Sequence, residues 1–429
     1  MSTPDAHDYT PYYIMKEQRY RIASLWLLLL VMMQAVAQEP AYTTADSDSL
    51  TADTAATSQP QLTWEERIRQ TLTGMVGESM FQTSQLGMIV WDLTTDSCLF
   101  SFNEHQRLRP ASTQKAVTAI AALDLLGADY IFTTSLSAIG EVVDSTATLE
   151  GNIVCKGTMD PLFGNSDMNE FVNSVKQLGI KTISGRIVAD VSFKDTIRWG
   201  DGWCWDDDNP SLSPLLVERK DNFAETLRQR LQREGITVEG AAIAPQQQSR
   251  ELCLRTRLLS EVLRPMMKRS DNLFAEAVFY SIAHRQGGSK ASARHARNYI
   301  YQLMQRAGID TTPVHAADGS GLSLYNYTTP LAELQLLRYA WKDGTIYDGL
   351  LPTLPIAGED GTLQSRMKGT PAQGKVQAKT GTVTGVSALA GYLTAANGHR
   401  LCFSIMNQGI TSAKVGRNFQ DRVCAVLCR

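Results

Sequence analysis

The sequence lacks a marked excess of positive or negative charge, a repetitive composition and the several long apolar segments of a multi-span membrane protein. Its 41 basic and 44 acidic side chains leave a formal charge of −3 over 429 residues. The sequence therefore lacks the excess of basic residues that is typical of nucleic-acid-binding proteins. The 31 glycines and 15 prolines are too few for collagen. A hydrophobic content of 43% with 20% charged residues is typical of a folded globular chain rather than a coiled coil or a mostly disordered one.

Only one long apolar run occurs, and it lies near the N-terminus. Three basic residues precede a stretch from Ile22 to Ala37 that ends in a small-x-small pattern. The stretch has 16 residues, fewer than the about 20 that span a bilayer. It therefore predicts a cleaved signal peptide over 1–37, in preference to the alternative of a transmembrane anchor. We expect a periplasmic or extracytoplasmic protein without a stable membrane anchor, and a Thr-, Ala- and Ser-rich linker over 38–61.

The seven cysteines include no Cys-x-x-Cys pair, so the sequence gives no support for a zinc ribbon or another metal site. Cys424 and Cys428 have the i, i+4 spacing of one helix face. Because export permits disulfides, Cys402 could pair with Cys424 or Cys428. The alternative is that the cysteines are small buried hydrophobes.

The remainder of the chain alternates helical and strand patterns. Two short strand patterns flank a turn at 94–96, and three more follow residue 374, the last two joined by Asn397-Gly398, a strong hairpin signal. These five strands predict one antiparallel sheet with helices on its faces, an α+β fold. Residues 133–254 have a pattern of short strands and two helices, which predicts an inserted α/β domain. This insertion divides the main domain into a first part over 62–132 and a second part over 255–429.

Ser112 and Lys115 have Ser-x-x-Lys spacing at the start of a predicted helix over 112–126. The spacing places both side chains on one helix face, a turn apart, at the end of the helix that favours developing negative charge. A desolvated lysine has a lowered pKa and can activate a hydroxyl as a nucleophile. The spacing alone is weak evidence, because it also fits an N-cap serine followed by a solvated lysine.

Two further triplets supply hydrogen-bonding groups. Ser270-Asp271-Asn272 precedes a predicted helix, so a turn there can aim Ser270 and Asn272 at one site; the alternative is that Ser270 caps the helix. Lys379-Thr380-Gly381 ends a predicted edge strand, where it offers an extended peptide a cation, a hydroxyl and a close backbone approach. In the order Ser-x-x-Lys, Ser-Asp-Asn and Lys-Thr-Gly, the motifs are the signature of penicillin-recognising serine acyl enzymes.

The longer blocks around these motifs resemble one branch of that class, the class C low-molecular-mass penicillin-binding proteins, which are D-alanyl-D-alanine carboxypeptidase/endopeptidases. The matching blocks are residues 110–118, 268–276, 318–323, 354–362 and 378–392. The resemblance implies a transpeptidase/β-lactamase-like domain, a five-stranded antiparallel sheet flanked by helices, that is interrupted by the inserted domain.

The resemblance also implies the catalytic roles. Ser112 would attack the carbonyl of the penultimate D-Ala in a peptidoglycan peptide that ends in D-Ala-D-Ala, and Lys115 would act as the base. Ser270 and Asn272 would relay protons and hold the substrate. Water would then hydrolyse the acyl-enzyme, with no metal or organic cofactor, and β-lactams would act as inhibitors.

For substrate binding, the resemblance implies that Lys379 and Thr380 hold the terminal carboxylate, on the strand that Gly381 continues. The backbone N–H groups of Ser112 and Thr382 would form the oxyanion hole. Asp207 matches the aspartate that binds the free amine of diaminopimelate in the family. Two positions near that anchor depart from the family pattern, since Leu212 replaces an aromatic residue and Leu324 an arginine.

Two other functions share parts of this pattern. A serine β-lactamase has the same three motifs but clears its acyl-enzyme rapidly, generally with a glutamate loop or a tyrosine motif that we do not find in the sequence. A non-catalytic wall-binding protein on the same scaffold would have no need to retain all five side chains of the motifs. The long insertion and the intact motifs favour the carboxypeptidase.

Overall fold

The computed structural model describes residues 62–207, 209–241 and 249–429, and the predicted signal peptide and linker lie outside the described residues. The helices are α1 Trp64–Val76, α2 Gln114–Leu126, α3 Asn165–Lys176, α4 Phe223–Arg233, α5 Leu259–Lys268, α6 Asn272–Gly287, α7 Ala293–Arg306, α8 Pro330–Lys342, α9 Gly344–Leu350 and α10 Ala413–Leu427. The strands are β1 Gln85–Asp92, β2 Ser97–Phe102, β3 Ile131–Val143, β4 Thr148–Gly157, β5 Thr182–Ile183, β6 Ile187–Asp190, β7 Thr237–Val238, β8 Ser249–Leu258, β9 Val376–Val383, β10 Val386–Thr394 and β11 Arg400–Gln408. None of the helices in these ranges is long and apolar enough to cross a membrane.

The first sheet has five strands in the order β2-β1-β11-β10-β9, and every neighbouring pair is antiparallel. The two strands from the N-terminal part therefore join the three from the C-terminal part, as predicted. The Asn397-Gly398 turn links β10 to β11, with Gly398 at a φ of +85° that a glycine adopts without strain. The α+β prediction is confirmed, and β9, which carries the Lys-Thr-Gly motif, is an edge strand.

Helices cover both faces of this sheet. β10 is buried from Val386 to Leu393, and its alternate side chains enter different cores. Ala390 and Tyr392 belong to the core that contains α2 and α6, whereas Leu389 and Leu393 belong to the core that contains α1 and α10. Because α2 runs through the first core, its residues 114–123 are all buried, and its first turn holds Lys115 away from solvent.

A second sheet has the order β7-β5-β4-β3-β8, with β6 also paired to β4. β3 and β8 are antiparallel neighbours, so the chain leaves the main body after α2 and returns beside its point of departure, directly before α5. Apolar residues of α3 and α4, including Phe171 and Leu227, pack with Ile153 of β4 in a separate core. The second sheet thus has its own hydrophobic interior.

All seven cysteines are free thiols. Cys402 lies in the core on one face of the first sheet, whereas Cys424 and Cys428 lie in the core on the other face. The disulfide considered from the sequence is therefore wrong, because the sheet separates its partners. The alternative reading as buried hydrophobes holds for these three residues and for Cys155.

Candidate active site

Ser112 lies in a short 3₁₀ turn, Ala111–Thr113, that leads into α2. The α-helix begins at Gln114, two residues later than predicted. Ala111 has a left-handed φ of +48°, and the residues up to Thr113 form the narrower 3₁₀ turn before the α-helical conformation starts. The i, i+3 relation is nevertheless preserved. The Nζ of Lys115 donates a hydrogen bond to the Oγ of Ser112 over 3.0 Å.

Lys115 is completely buried, and its three donors all have acceptors. Besides Ser112, Nζ donates to Oδ1 of Asn272 and to the backbone carbonyl of Ser320, each over 2.7 Å. Burial lowers the pKa of Lys115 to about 8, against the opposing charges of Asp318 and Glu276. The site thus holds an amine that releases its proton more easily than a surface lysine does and that directly contacts a hydroxyl.

The Ser-Asp-Asn motif forms the turn into α6. Asp271 is the N-cap and accepts a hydrogen bond from the N–H of Leu273 over 3.1 Å, so the alternative reading of Ser270 as the cap is wrong. Ser270 has a φ of +62°, a left-handed conformation that strains a residue with a side chain. Strain of this kind concentrates at functional sites, and here it accompanies a contact between Ser270 and Lys379.

Lys379 is also completely buried. Its Nζ donates to Oγ of Ser270 over 2.9 Å and to the carbonyl of Thr380 over 2.8 Å. Burial, together with the positive charge of Lys115, holds the pKa of Lys379 well below its usual value. Because like charges repel, two buried amines near each other favour a state in which the pair carries fewer than two positive charges.

The three residues after Lys379 have different surroundings. The side chains of Thr380 and Thr382 line the cleft in front of Ser112, and the hydroxyl of Thr380 is 2.8 Å from that of Thr362. Gly381 does not line the cleft: a Cβ at this position would lie 2.5 Å from the carbonyl oxygen of Pro110. Its missing side chain therefore admits the turn that carries Ser112.

The cleft has a volume of about 460 Å³, and Ser112, Ser270 and Asn272 all line it. Asp207 is not among its lining residues. One oxygen of the Asp207 carboxylate accepts a hydrogen bond from the N–H of Cys204 over 2.7 Å. The structure thus brings together the five residues predicted as catalytic, with Lys115 and Lys379 buried behind the three that line the cleft, and leaves Asp207 outside this lining.

Motif reasoning assigned no role to the loop 318–323, although its Ser320 carbonyl is the third acceptor of Lys115. Asp318 organises the loop by accepting hydrogen bonds from the N–H groups of Gly321 and Ser323 over 2.7 and 2.8 Å. It also accepts one from the indole of Trp203 over 2.8 Å. An Asp-Gly-Ser-Gly sequence is a turn signal that could have indicated this role.

Glu276 supports the same loop from α6. Its Oε1 accepts hydrogen bonds from the N–H groups of Gly319 and Ser320, over 3.1 and 2.9 Å. Burial, with the charge of Asp318, raises the pKa of Glu276 to about 8. The carbonyl that orients Lys115 is therefore held by two carboxyl groups that are distant in sequence.

A five-stranded antiparallel sheet with a serine–lysine pair, a Ser-Asp-Asn turn and an edge-strand Lys-Thr-Gly around one cleft defines the class of penicillin-recognising serine acyl enzymes. Within that class, the chain belongs to the D-Ala-D-Ala carboxypeptidase 3 (S13) family of peptidases, whose sequence model matches residues 68–214 and 210–429. It is a low-molecular-mass class C penicillin-binding protein, as the sequence predicted.

Two similar proteins, one of them in two crystal structures, illustrate the relationship. A D-alanyl-D-alanine carboxypeptidase of Actinomadura sp. is 27% identical over an alignment of 501 positions, gaps included, which covers 91% of this chain and 87% of that protein. The crystal structure of penicillin-binding protein 4 of Haemophilus influenzae has a TM-score of 0.73 at 25% identity and covers 80% of this chain and 98% of that one. The same Haemophilus protein in complex with a β-lactam has a TM-score of 0.68 at 26% identity, with 82% and 98% covered.

Proposed function

We propose that this protein is a serine D-alanyl-D-alanine carboxypeptidase/endopeptidase that acts on peptidoglycan stem peptides ending in D-Ala-D-Ala and is acylated by penicillins. The observation that carries the proposal is the hydrogen bond from the buried amine of Lys115 to the Ser112 hydroxyl, in an open cleft beside an edge strand. The match to the family and the β-lactam complex of a similar protein support the substrate class and the inhibitors.

In the proposed reaction, the neutral amine of Lys115 takes the proton of Ser112 as Oγ bonds to the carbonyl carbon of the penultimate D-Ala. As the C–N bond breaks, the proton that Lys115 took from Ser112 passes by way of Ser270 to the leaving amine, and the terminal residue departs. Water hydrolyses the resulting ester and restores the Ser112 hydroxyl. Asn272 and the Ser320 carbonyl keep Lys115 oriented through both steps.

The substrate-binding assignments belong to the same proposal. Lys379 and Thr380 hold the terminal carboxylate, and Ser270, which accepts a hydrogen bond from Lys379, relays protons and helps to hold the substrate. The N–H groups of Ser112 and Thr382 stabilise the oxyanion, an effect worth about 3–4 kcal/mol for one donor in other acyl enzymes. Gly381 lets the strand approach the nucleophile's turn.

The remaining parts of the proposal concern specificity, domains and export. Asp207 binds the free amine of the third residue of the stem peptide. Residues 133–254 constitute an inserted domain, beside a main domain over 62–132 and 255–429.

The protein acts outside the cytoplasm, where its substrate is found. Export through a cleaved signal peptide over 1–37 would bring it there.

The test combines intact-protein mass spectrometry after penicillin treatment with an assay of D-Ala release from a pentapeptide. We expect one long-lived adduct, located on Ser112, and release of one D-Ala per peptide. Rapid turnover of penicillin without an adduct would replace the proposal by a β-lactamase. Absence of both adduct and release would replace it by a non-catalytic wall-binding protein.

The rate of acylation by penicillin should increase with pH and level off above the pKa of Lys115. Only the neutral amine can accept a proton, and burial places its pKa at about 8, so the rate should fall about tenfold per pH unit below that value. Stopped-flow measurement of the second-order acylation constant at each pH gives the pKa of this base in the free enzyme. A constant rate from about pH 6 to pH 9 would contradict the role of Lys115 as the base.

A further inference from the structure

Two arginines line the same cleft as Ser112, and neither belongs to the three motifs. Arg366 follows the 3₁₀ turn Gly361–Leu363, and Arg417 lies in the second turn of α10. The lining residues include both arginines and no carboxylate. The cleft therefore has an excess of positive charge beyond the two lysines of the proposed mechanism.

The two arginines differ in how their charge is balanced. Arg366 is only 8% exposed, and its Nε and Nη2 donate to the carboxylate of Asp421 over 2.9 and 2.7 Å. Its Nη1 is buried without a hydrogen-bond partner. Arg417 is half-buried as a residue, and its guanidinium has no hydrogen-bond or ion-pair partner within residues 62–207, 209–241 and 249–429. Asp421, one helical turn away, is already engaged by Arg366.

Arg366 also fixes the backbone that carries Arg417, because its Nη2 donates to the Arg417 carbonyl over 3.2 Å. The adjacent Gly416 packs closely on Ser387, since a Cβ at Gly416 would lie 2.7 Å from the Ser387 Cβ. Ser387 pairs with Thr382 of the edge strand. The backbone at Arg417 is thus fixed beside β10, and the Arg417 side chain lines the same cleft as Thr380 and Thr382 of β9.

The position of these arginines relates them to the leaving group. Thr380, which holds the terminal carboxylate in the proposed function, contacts Thr362. From Thr362 the chain continues within four residues to Arg366, which contacts Arg417. This series of contacts starts at the carboxylate subsite and proceeds without passing Ser112. It therefore adjoins the part of the substrate that departs, not the part that becomes the acyl group.

We propose that Arg417, held by Arg366, is a specificity residue that binds a second carboxylate on the leaving group. The inference rests on the proposed function. A leaving D-Ala has a single carboxylate, which Lys379 and Thr380 hold, and a methyl side chain that cannot reach further. A leaving stem peptide continues from that side chain and carries additional carboxylates. Arg417 thus favours cleavage between two stem peptides over release of D-Ala alone.

The experiment uses two peptides with the same acyl part, α-N-acetyl-L-lysyl-D-alanine, whose lysine side-chain amine stays free for Asp207, joined to D-glutamate or to D-glutamine. The leaving groups have the same shape and differ by one charge. The wild-type protein should cleave the D-glutamate peptide with the higher kcat/KM. Arg417→Gln should lower the ratio of the two kcat/KM values about tenfold, the expected size of a charge-assisted hydrogen bond. Arg417→Lys, which keeps the charge without the planar fork, should retain part of the ratio.

Arg422→Gln is the matched control, because Arg422 lies on the same helix and pairs with Glu78 over 2.7 Å, away from the lining residues of the cleft. This variant should keep the wild-type ratio. In the wild-type protein, the ratio should also decrease as salt concentration rises, a measurement that requires no variant.

Three results would overturn the inference. An unchanged ratio in Arg417→Gln would show that Arg417 does not contact the second carboxylate. An equal loss of both activities would place Arg417 on the carboxylate that both peptides share. A wild-type ratio of one would mean that the cleft does not sense the second charge. Failure to cleave all three substrates, that is, both test peptides and the standard pentapeptide, would instead contradict the proposed function itself.

Discussion

Replacement of Ser112 by alanine is expected to lower D-Ala release by on the order of 10⁴-fold or more, the scale seen when a serine nucleophile is removed elsewhere. The covalent penicillin adduct should disappear from the mass spectrum. Stability should change by only about 1–2 kcal/mol, because the buried Lys115 amine loses one of its three acceptors. Thermal denaturation of both proteins separates the chemical effect from unfolding.

Ser101→Ala is the control for this variant. Ser101 and Asn103 also have Ser-x-Asn spacing, but Ser101 is exposed on β2 and is not among the residues that line the cleft. Its replacement should leave D-Ala release and the adduct unchanged. Wild-type activity in Ser112→Ala, or an adduct that shifts to Ser270, would refute the assignment of the nucleophile.

Gly321→Ala should have the second-largest effect, although residue 321 has no reactive group. Gly321 has a φ of +80°, and a Cβ there would lie 1.8 Å from the carbonyl oxygen of Ala111, the residue before the proposed nucleophile. We expect a loss of about 3 kcal/mol or more, since left-handed strain adds to the overlap. We also expect at least about a hundredfold loss of acylation rate, because misplacement of about 1 Å has that cost.

Gly235→Ala isolates the contribution of the backbone conformation. Gly235 has a φ of +81°, and a Cβ there would meet nothing within 4 Å, so only strain of about 1–2 kcal/mol should appear. Acylation by penicillin should proceed at the wild-type rate. Equal acylation losses in the two variants, measured below their unfolding temperatures, would contradict the idea that loop 318–323 positions the turn of Ser112.

The motifs and the main sheet could be predicted from the sequence because each depends on local patterns. Ser112 and Lys115 are three residues apart, so helix geometry alone brings them together. The β10–β11 hairpin follows from Asn397-Gly398, whose turn conformation requires little from the rest of the chain. Their order along the sequence was sufficient to indicate one site, since chance alone rarely produces that order.

Other features of the site depend on contacts between distant parts of the chain. The Lys115 amine meets Asn272 and the Ser320 carbonyl across 157 and 205 residues of sequence, and no local pattern encodes those distances. Gly381 was expected to admit the substrate, yet its missing Cβ faces Pro110. The rejected disulfide had plausible elements, but the sheet lies between its cysteines.

By itself, the sequence determined the class of fold and the family, and it predicted Ser112 as the nucleophile beside two lysines, because these follow from short-range periodicity and from residue types in a fixed order. Only the tertiary structure decided which groups surround Lys115, how far burial lowers its pKa and that Arg417 reaches the cleft. The physical reason is that desolvation and charge interactions depend on distances in space, which folding sets through many long-range contacts at once.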